Sequence, residues 1–287
     1  MGLIPSMIKL KEFKGKIGLV TGGSSGIGLA TACLLAQKGA HVWLLARRGE
    51  KLAEALRKVK SAAQEPGQSC GMLETDVTNE KQVNQAISKI FHTVGLPDLV
   101  INSAGVAHPG YVQETDIKIF HWMMDVNFFG TVNVTKALLP GMIERGSGYI
   151  VNISSMSGFL GIFGYTAYSA SKYAVRGFSD VLRSEMKPHG IGVSVVFPPD
   201  TDTPQLTYEK QFKPAETRAL TAISGMMSAD SVAKSILTGI ERGKYLILPG
   251  IENKLFYRLS GIFSHSVYPV MDWLIAQAQR KNNTAGK

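Results

Sequence analysis

From Lys16 to about Leu248 the chain alternates short, continuously apolar runs with longer segments whose apolar positions recur at helical spacing. The short runs are Ile17–Thr21, His41–Leu45, Cys70–Thr75, Leu99–Asn102, Tyr149–Ser154, Val193–Phe197 and Tyr245–Leu248. A strand buried on both faces is apolar at successive positions, and the helix covering it is apolar on one side only. The pattern predicts an α/β fold: a single doubly wound (Rossmann) parallel seven-stranded sheet with helices on both faces. No linker-like tract and no internal repeat divides it, so one domain is expected over residues 1–250.

Two stretches break the alternation. Pro198 to about Met227 reads as irregular and is too long for an ordinary connector; segments of that kind are usually lids or binding elements. Beyond residue 250, Leu255, Phe256, Leu259, Ile262 and Phe263 fall at helical spacing, as do Val270, Met271, Leu274 and Ile275 after Pro269. Arg258, His265 and Asp272 interrupt them. Residues 251–287 are therefore read as an amphipathic helical extension. Three placements stay open: on the same domain, on a partner subunit, or on a membrane surface. The extension also has the side chains to wall a substrate pocket.

Composition narrows the classes. Of 287 residues, 45% are apolar and 18% charged, which describes a folded chain rather than a disordered one. Cys33 and Cys70 are too few for a disulfide framework, and no Cys/His cluster has zinc spacing, so no metal site and a reducing, cytoplasmic setting are expected. No run is long and apolar enough to span a bilayer, and the first ten residues do not read as a secretory signal. The formal charge is +9, of which residues 1–16 and 251–287 carry +3 each. Solvated termini explain this, and so does attraction to an anionic membrane surface; no basic stripe with interleaved aromatics suggests nucleic acid.

The candidate chemistry sits at the ends of the strands. After the first strand comes Thr21-Gly22-Gly23-Ser24-Ser25-Gly26-Ile27-Gly28, opening into a helical pattern. Such a turn serves equally as a tight strand-to-helix connection, but the strand before it and the helix after it favour a dinucleotide pyrophosphate. The second strand ends in Leu45-Ala46-Arg47-Arg48 where a carboxylate would select a ribose 2′-hydroxyl. Two guanidinium groups there favour a 2′-phosphate, hence NADP(H); the other reading is two solvated arginines. Asp76-Val77 and the turn Asn102-Ser103-Ala104-Gly105 close the same edge. Tyr168 and Lys172 lie one helical turn apart, a spacing common on helix surfaces but one that lets a cation lower a phenol pKa. Ser155 follows the fifth strand, where its hydroxyl would donate to a substrate carbonyl.

Taken together, TGGSSGIG at 21–28, Asp76-Val77, NSAG at 102–105, Asn127, Ser155 and YSASK at 168–172 resemble the short-chain dehydrogenase/reductase family over nearly the whole chain. That resemblance implies an oxidoreductase using NADP(H), with Tyr168 as general acid for carbonyl reduction and Lys172 tuning it and holding the nicotinamide ribose. It implies that Ser155 positions the carbonyl, that Asn127 holds a water leading from Lys172 to solvent, and that the protein is a homodimer or homotetramer. The family commonly has Pro-Gly after the sixth strand; this chain has Pro198-Pro199-Asp200-Thr201-Asp202-Thr203-Pro204. FPPDTDTP, with FGYTAYSASKYAVRG and MKPHGIGV before it, resembles the 3-ketodihydrosphingosine reductase branch. This implies a lipid-like ketone substrate, with Pro198, Thr201 and Thr203 at the nicotinamide. The branch often carries a hydrophobic anchor that residues 1–16 do not supply, so any membrane contact is expected to be peripheral and through the extension. Two other readings are a reductase of steroid, fatty-acyl or small ketones, and a non-catalytic NADP-binding regulator.

Overall fold

The computed structural model describes residues 8–221, 225–263 and 267–285. Its strands in chain order are β1 (Ile17–Thr21), β2 (His41–Ala46), β3 (Cys70–Glu74), β4 (Leu99–Asn102), β5 (Gly148–Ile153), β6 (Ile191–Val196), β7 (Thr201–Asp202), β8 (Met227–Ser228) and β9 (Leu246–Ile247). Seven of them form one parallel sheet in the order β3-β2-β1-β4-β5-β6-β9, which is the doubly wound fold that the pattern predicts. β1 and β4 have the predicted bounds, and the other strands of the sheet differ from the predicted ones by a residue or two at their ends.

Side chains alternate across each strand, so neighbours on β1, β4 and β5 enter different cores. Val20, Ile101 and Val151 meet α1 (Gly26–Gln37), α2 (Gly49–Ala62) and, through Ile236 and Ile240, a later helix at Ala229–Glu241. Leu19, Val100 and Ile150 meet α3 (Glu80–Val94) through Ile87, and the helices at Gly130–Arg145 and Thr166–Met186 through Leu138 and Leu182. In chain order the remaining helices are α4 (Ile117–Met123), α5 (Gly130–Arg145), α6 (Thr166–Met186), α7 (Pro204–Glu209), α8 (Ala215–Thr221), α9 (Ala229–Glu241), α10 (Ile251–Phe263) and α11 (Val267–Ala285). The connections leave β1 and β4 in opposite directions, which opens a crevice at their carboxyl ends.

The stretch from Pro198 to Met227 is more ordered than its sequence suggests. It holds β7, α7 and α8, and β7 pairs with β8; residues 222–224 lie outside the described residues. Helices of six and seven residues are too short to show periodicity. Thr203, whose hydroxyl accepts from Leu206 N, and Pro204 in the first turn are the start signals the sequence did carry.

The extension packs on the same chain. From α10, Asn253 Nδ2 donates to Phe197 O, and Tyr257 stacks edge-on to Phe159. From α11, Gln279 donates to Glu216 on α8. The side chains of Ile262 and Phe263, and all of His265, lie outside the described residues. Ile251, Leu255, Tyr268, Val270 and Trp273 remain exposed. Among the described residues no helix is long and apolar enough to cross a membrane.

Candidate active site

The turn between β1 and α1 is shaped by close backbone approach. Gly22 and Gly26 have φ of +64° and +55°, the left-handed region that favours glycine. A Cβ on Gly22 would stand 2.7 Å from Ser103 O, and one on Gly28 2.6 Å from Gly22 O. Thr21 Oγ1 accepts from both Ser103 N and Ala104 N at 3.1 Å, tying this turn to the one after β4. No side chain caps the N-terminus of α1 at Ser25, so its first N–H groups are left for a ligand or water. A bare helix N-terminus behind a glycine turn fits a pyrophosphate, and the turn therefore fits a nicotinamide dinucleotide.

A cavity of about 1160 Å³ runs from this turn across the carboxyl edge of the sheet. Its lining gathers Gly22, Ser24, Ser25, Gly26, Ile27, Arg47, Arg48, Asp76, Val77, Ala104, Gly105, Ser155, Tyr168, Lys172, Pro198, Thr201 and Thr203. Three residues expected at the site stand behind its wall. Gly28 packs on Gly22. Asn102 cross-links strands, its Nδ2 donating to Asn152 Oδ1 at 2.9 Å and Thr135 Oγ1 at 3.2 Å. Asn127 lies in a π-helical turn (Met124–Phe129), where its side chain accepts from Val106 N and donates to Val106 O and Ser171 Oγ. Those bonds brace the loop carrying Gly105. The hydroxyls of Thr201 and Thr203 donate to Pro199 O and Thr201 O, and the Thr203 methyl rests over Gly26, so this segment covers the glycine turn.

Tyr168 and Lys172 are both buried on α6, with Lys172 Nζ 5.6 Å from the phenol ring centre. Lys172 Nζ donates to Ile153 O at 3.0 Å, and burial lowers its pKa to about 8 despite the opposing charge of Glu209. The phenol departs from expectation. Burial, then the negative charge of Glu209, raises the Tyr168 pKa; hydrogen bonds with Ser155 and Gln205 oppose this only in part. The sequence spacing predicts a cation that lowers the phenol, but burial of the phenol itself, with the nearby carboxylate, outweighs it.

Several lining residues were not singled out in the sequence. Lys51, in the first turn of α2, joins Arg47 and Arg48. Tyr165, Gln205 and Glu209 flank Tyr168, but they meet only because α7 folds against α6, and no local pattern announces that. Leu259, Val270, Met271 and Leu274, by contrast, were named in the amphipathic extension, and they bring α10 and α11 into the wall as the sequence allowed.

Burial of Lys172 has a measurable effect on stability. Below pH 8 the folded protein bears the full cost of burying an ammonium; that cost fades as pH rises from about 8 to 10.5, where the unfolded chain holds more protons. Lys172→Met is expected to melt higher than the parent near neutral pH, with an advantage that shrinks as pH approaches 10.5. Thermal melts across that range check it, and a lower melting temperature at neutral pH would contradict it.

The chain matches the short chain dehydrogenase family model over residues 16–213. It is 38% identical over 246 residues to a 3-dehydrosphinganine reductase of Danio rerio, covering 85% of this chain and 74% of that one. It is also 38% identical over 279 residues to a 3-ketodihydrosphingosine reductase of Dictyostelium discoideum, covering 92% and 84%. Among solved structures, a short chain dehydrogenase/reductase from Burkholderia phymatum in complex with NAD superposes with a TM-score of 0.78 at 25% identity, covering 88% and 95% of the two chains. Relatives of this kind and a glycine-turn cleft in a doubly wound sheet agree: the chain belongs to the short-chain dehydrogenase/reductase family of oxidoreductases.

Proposed function

We propose that the protein is an NADPH-dependent reductase that converts a long-chain 3-keto sphingoid base, 3-ketosphinganine, to sphinganine. The observation that carries this reading is the apolar part of the lining that the cavity holding Tyr168 also has: Leu160, Leu206, Leu259, Met271 and Leu274. Relatives named for this reaction support the choice over steroid or small ketones. When bound, the reduced nicotinamide supplies the hydride that reaches the ketone carbon. Tyr168 gives its proton to the ketone oxygen, and Ser155, beside the phenol, donates to that oxygen and orients it. Lys172 holds the nicotinamide ribose. Asn127 keeps the Gly105 loop in place and holds a water leading from Lys172 to solvent.

Each methylene buried contributes roughly 0.8 kcal/mol, so catalytic efficiency is expected to rise about fourfold per carbon until the apolar part of the cavity is full. Replacing Leu259 and Leu274 together by Ser should cost long substrates more than short ones. A flat chain-length series would move the reading to a general ketone reductase, and no NADPH consumption with any ketone would favour a regulator. The exposed apolar side chains of α10 and α11 form the peripheral membrane contact of this reading. Sedimentation with anionic liposomes is expected to carry the protein down and Trp273→Ser to weaken it; no binding by the parent would remove the membrane contact alone. A homodimer or homotetramer is expected by family resemblance and is checked by light scattering.

A further inference from the structure

Glu209 ends α7 in the wall of the cavity, and only 6% of it is exposed. Its partners are neutral: the Tyr165 hydroxyl donates to Oε2 at 2.5 Å and the Gln205 amide to Oε1 at 2.9 Å. Among the described residues no Lys, Arg or His nitrogen lies within 4.0 Å of this carboxylate. Asp200, another acid of the cavity lining, is different, because Lys213 Nζ stands 3.1 Å from its Oδ2 and matches its charge. Burial raises the pKa of Glu209; the hydrogen bonds from Tyr165 and Gln205, and then the more distant charge of Lys213, offset this only in part. A buried carboxylate without a contacting cation is costly, and a hydrophobic residue of similar size would leave the fold more stable. A cationic ligand removes that cost.

The position of Glu209 says where on the ligand the cation lies. Tyr165, which donates to Glu209, has its ring centre 5.6 Å from that of Tyr168, and Gln205, the other donor to Glu209, lines the same cavity, so one side chain separates the carboxylate from the proton donor. Tyr168 and Glu209 line the same cavity, so a ketone whose oxygen meets Tyr168 sets its neighbouring carbons along the wall that holds Glu209. We propose that Glu209 is a specificity residue that binds a protonated primary amine on the carbon next to the substrate ketone. The inference rests on the long-chain ketone reading above and adds the residue that separates an amino ketone from a plain one. Sphingoid 3-ketones carry such an amine.

The test uses the full-length protein with NADPH and two ketones of equal length, 3-ketosphinganine and its counterpart lacking the 2-amino group. The parent is expected to favour the amino ketone in kcat/KM by about 30-fold or more, the effect of truncating one partner of a buried charge pair. In Glu209→Gln, which keeps the shape and still accepts from Tyr165, that ratio is expected to fall toward one. A ratio near one in the parent overturns the proposal, and so does a ratio that survives in the variant. Equal losses on both ketones would mean that Glu209 only holds Gln205 and Tyr168 in place. Each of these results leaves the long-chain reading standing. Failure of the parent on both long ketones, with turnover of a compact one, overturns both. If the variant does not fold, inhibition of the parent decides: octadecylamine is expected to inhibit more tightly than octadecanol by about tenfold or more, and equal inhibition overturns the proposal.

Discussion

Replacing Tyr168 by Phe is expected to reduce ketone turnover by ~10²- to 10⁴-fold, the usual contribution of a positioned general acid, and to leave NADPH affinity nearly unchanged. The phenol is the proton donor best placed for the role. The neighbouring Tyr165 has its proton committed to Glu209. A pKa raised by burial keeps Tyr168 protonated in the ligand-free site, which suits a group that must give a proton away. It also means that the cofactor and substrate, on binding, must bring the phenol pKa down for rapid exchange, and the nicotinamide carries a positive charge only in its oxidised form. Reduction is therefore expected to hold over a broad neutral range, with oxidation of the alcohol gaining as pH rises. Single-turnover rates with NADPH binding measured on the same variant make the check. Retention of more than a tenth of parental turnover would end the assignment. Tyr165→Phe is the control: it keeps the Tyr168 phenol but takes a hydrogen bond from Glu209, so its loss on a plain ketone should be far smaller.

The contrast between those two tyrosines marks how far the sequence could be read. Strands buried on both faces, the glycine turn and the Tyr168–Lys172 spacing are local patterns, and each was legible as written. Their assembly in one cleft follows from strand order, because β1, β4 and β5 all deliver their carboxyl ends to the same edge. The electrostatics of the cleft were not legible. Whether Lys172 lowers the phenol depends first on how deeply the phenol is buried and then on Glu209, forty-one positions after Tyr168 and brought beside it by a six-residue helix. Asn102 shows the opposite limit. It sits in a family motif at a strand end, yet its amide is turned into the sheet to bond Asn152 and Thr135. The extension was legible as amphipathic, but a pattern cannot name what its apolar face meets, and here the inner face meets the cavity while other apolar side chains stay exposed.

Replacing Arg47 and Lys51 together by Ala is expected to lower catalytic efficiency with NADPH by about 10²-fold or more and to change that with NADH little. Arg47, Arg48 and Lys51 all line the end of the cavity beside β2 and α2, and among the described residues no carboxylate lies within ion-pair range of any of them. Glu74 is the acid to consider, since it pairs in register with Ala46 on the neighbouring strand. Its carboxylate instead lies against Gly49 and outside the cavity lining, so it is not set to accept from a 2′-hydroxyl. The three cations are exposed, so their attraction for a phosphate dianion is screened by salt and the NADPH KM should rise with ionic strength faster than the NADH KM. A hydrogen bond to a charged group contributes about 1.5–3 kcal/mol, and two such losses account for the expected fold-change. Placing Asp at position 46 with a neutral residue at 47 should carry the preference over to NADH, because the new carboxylate accepts from a free ribose and repels the phosphate. Equal parental efficiency with the two cofactors would refute the assignment. Equal losses with both in the Arg47 and Lys51 variant would place those side chains on the shared part of the dinucleotide instead of on its 2′-phosphate.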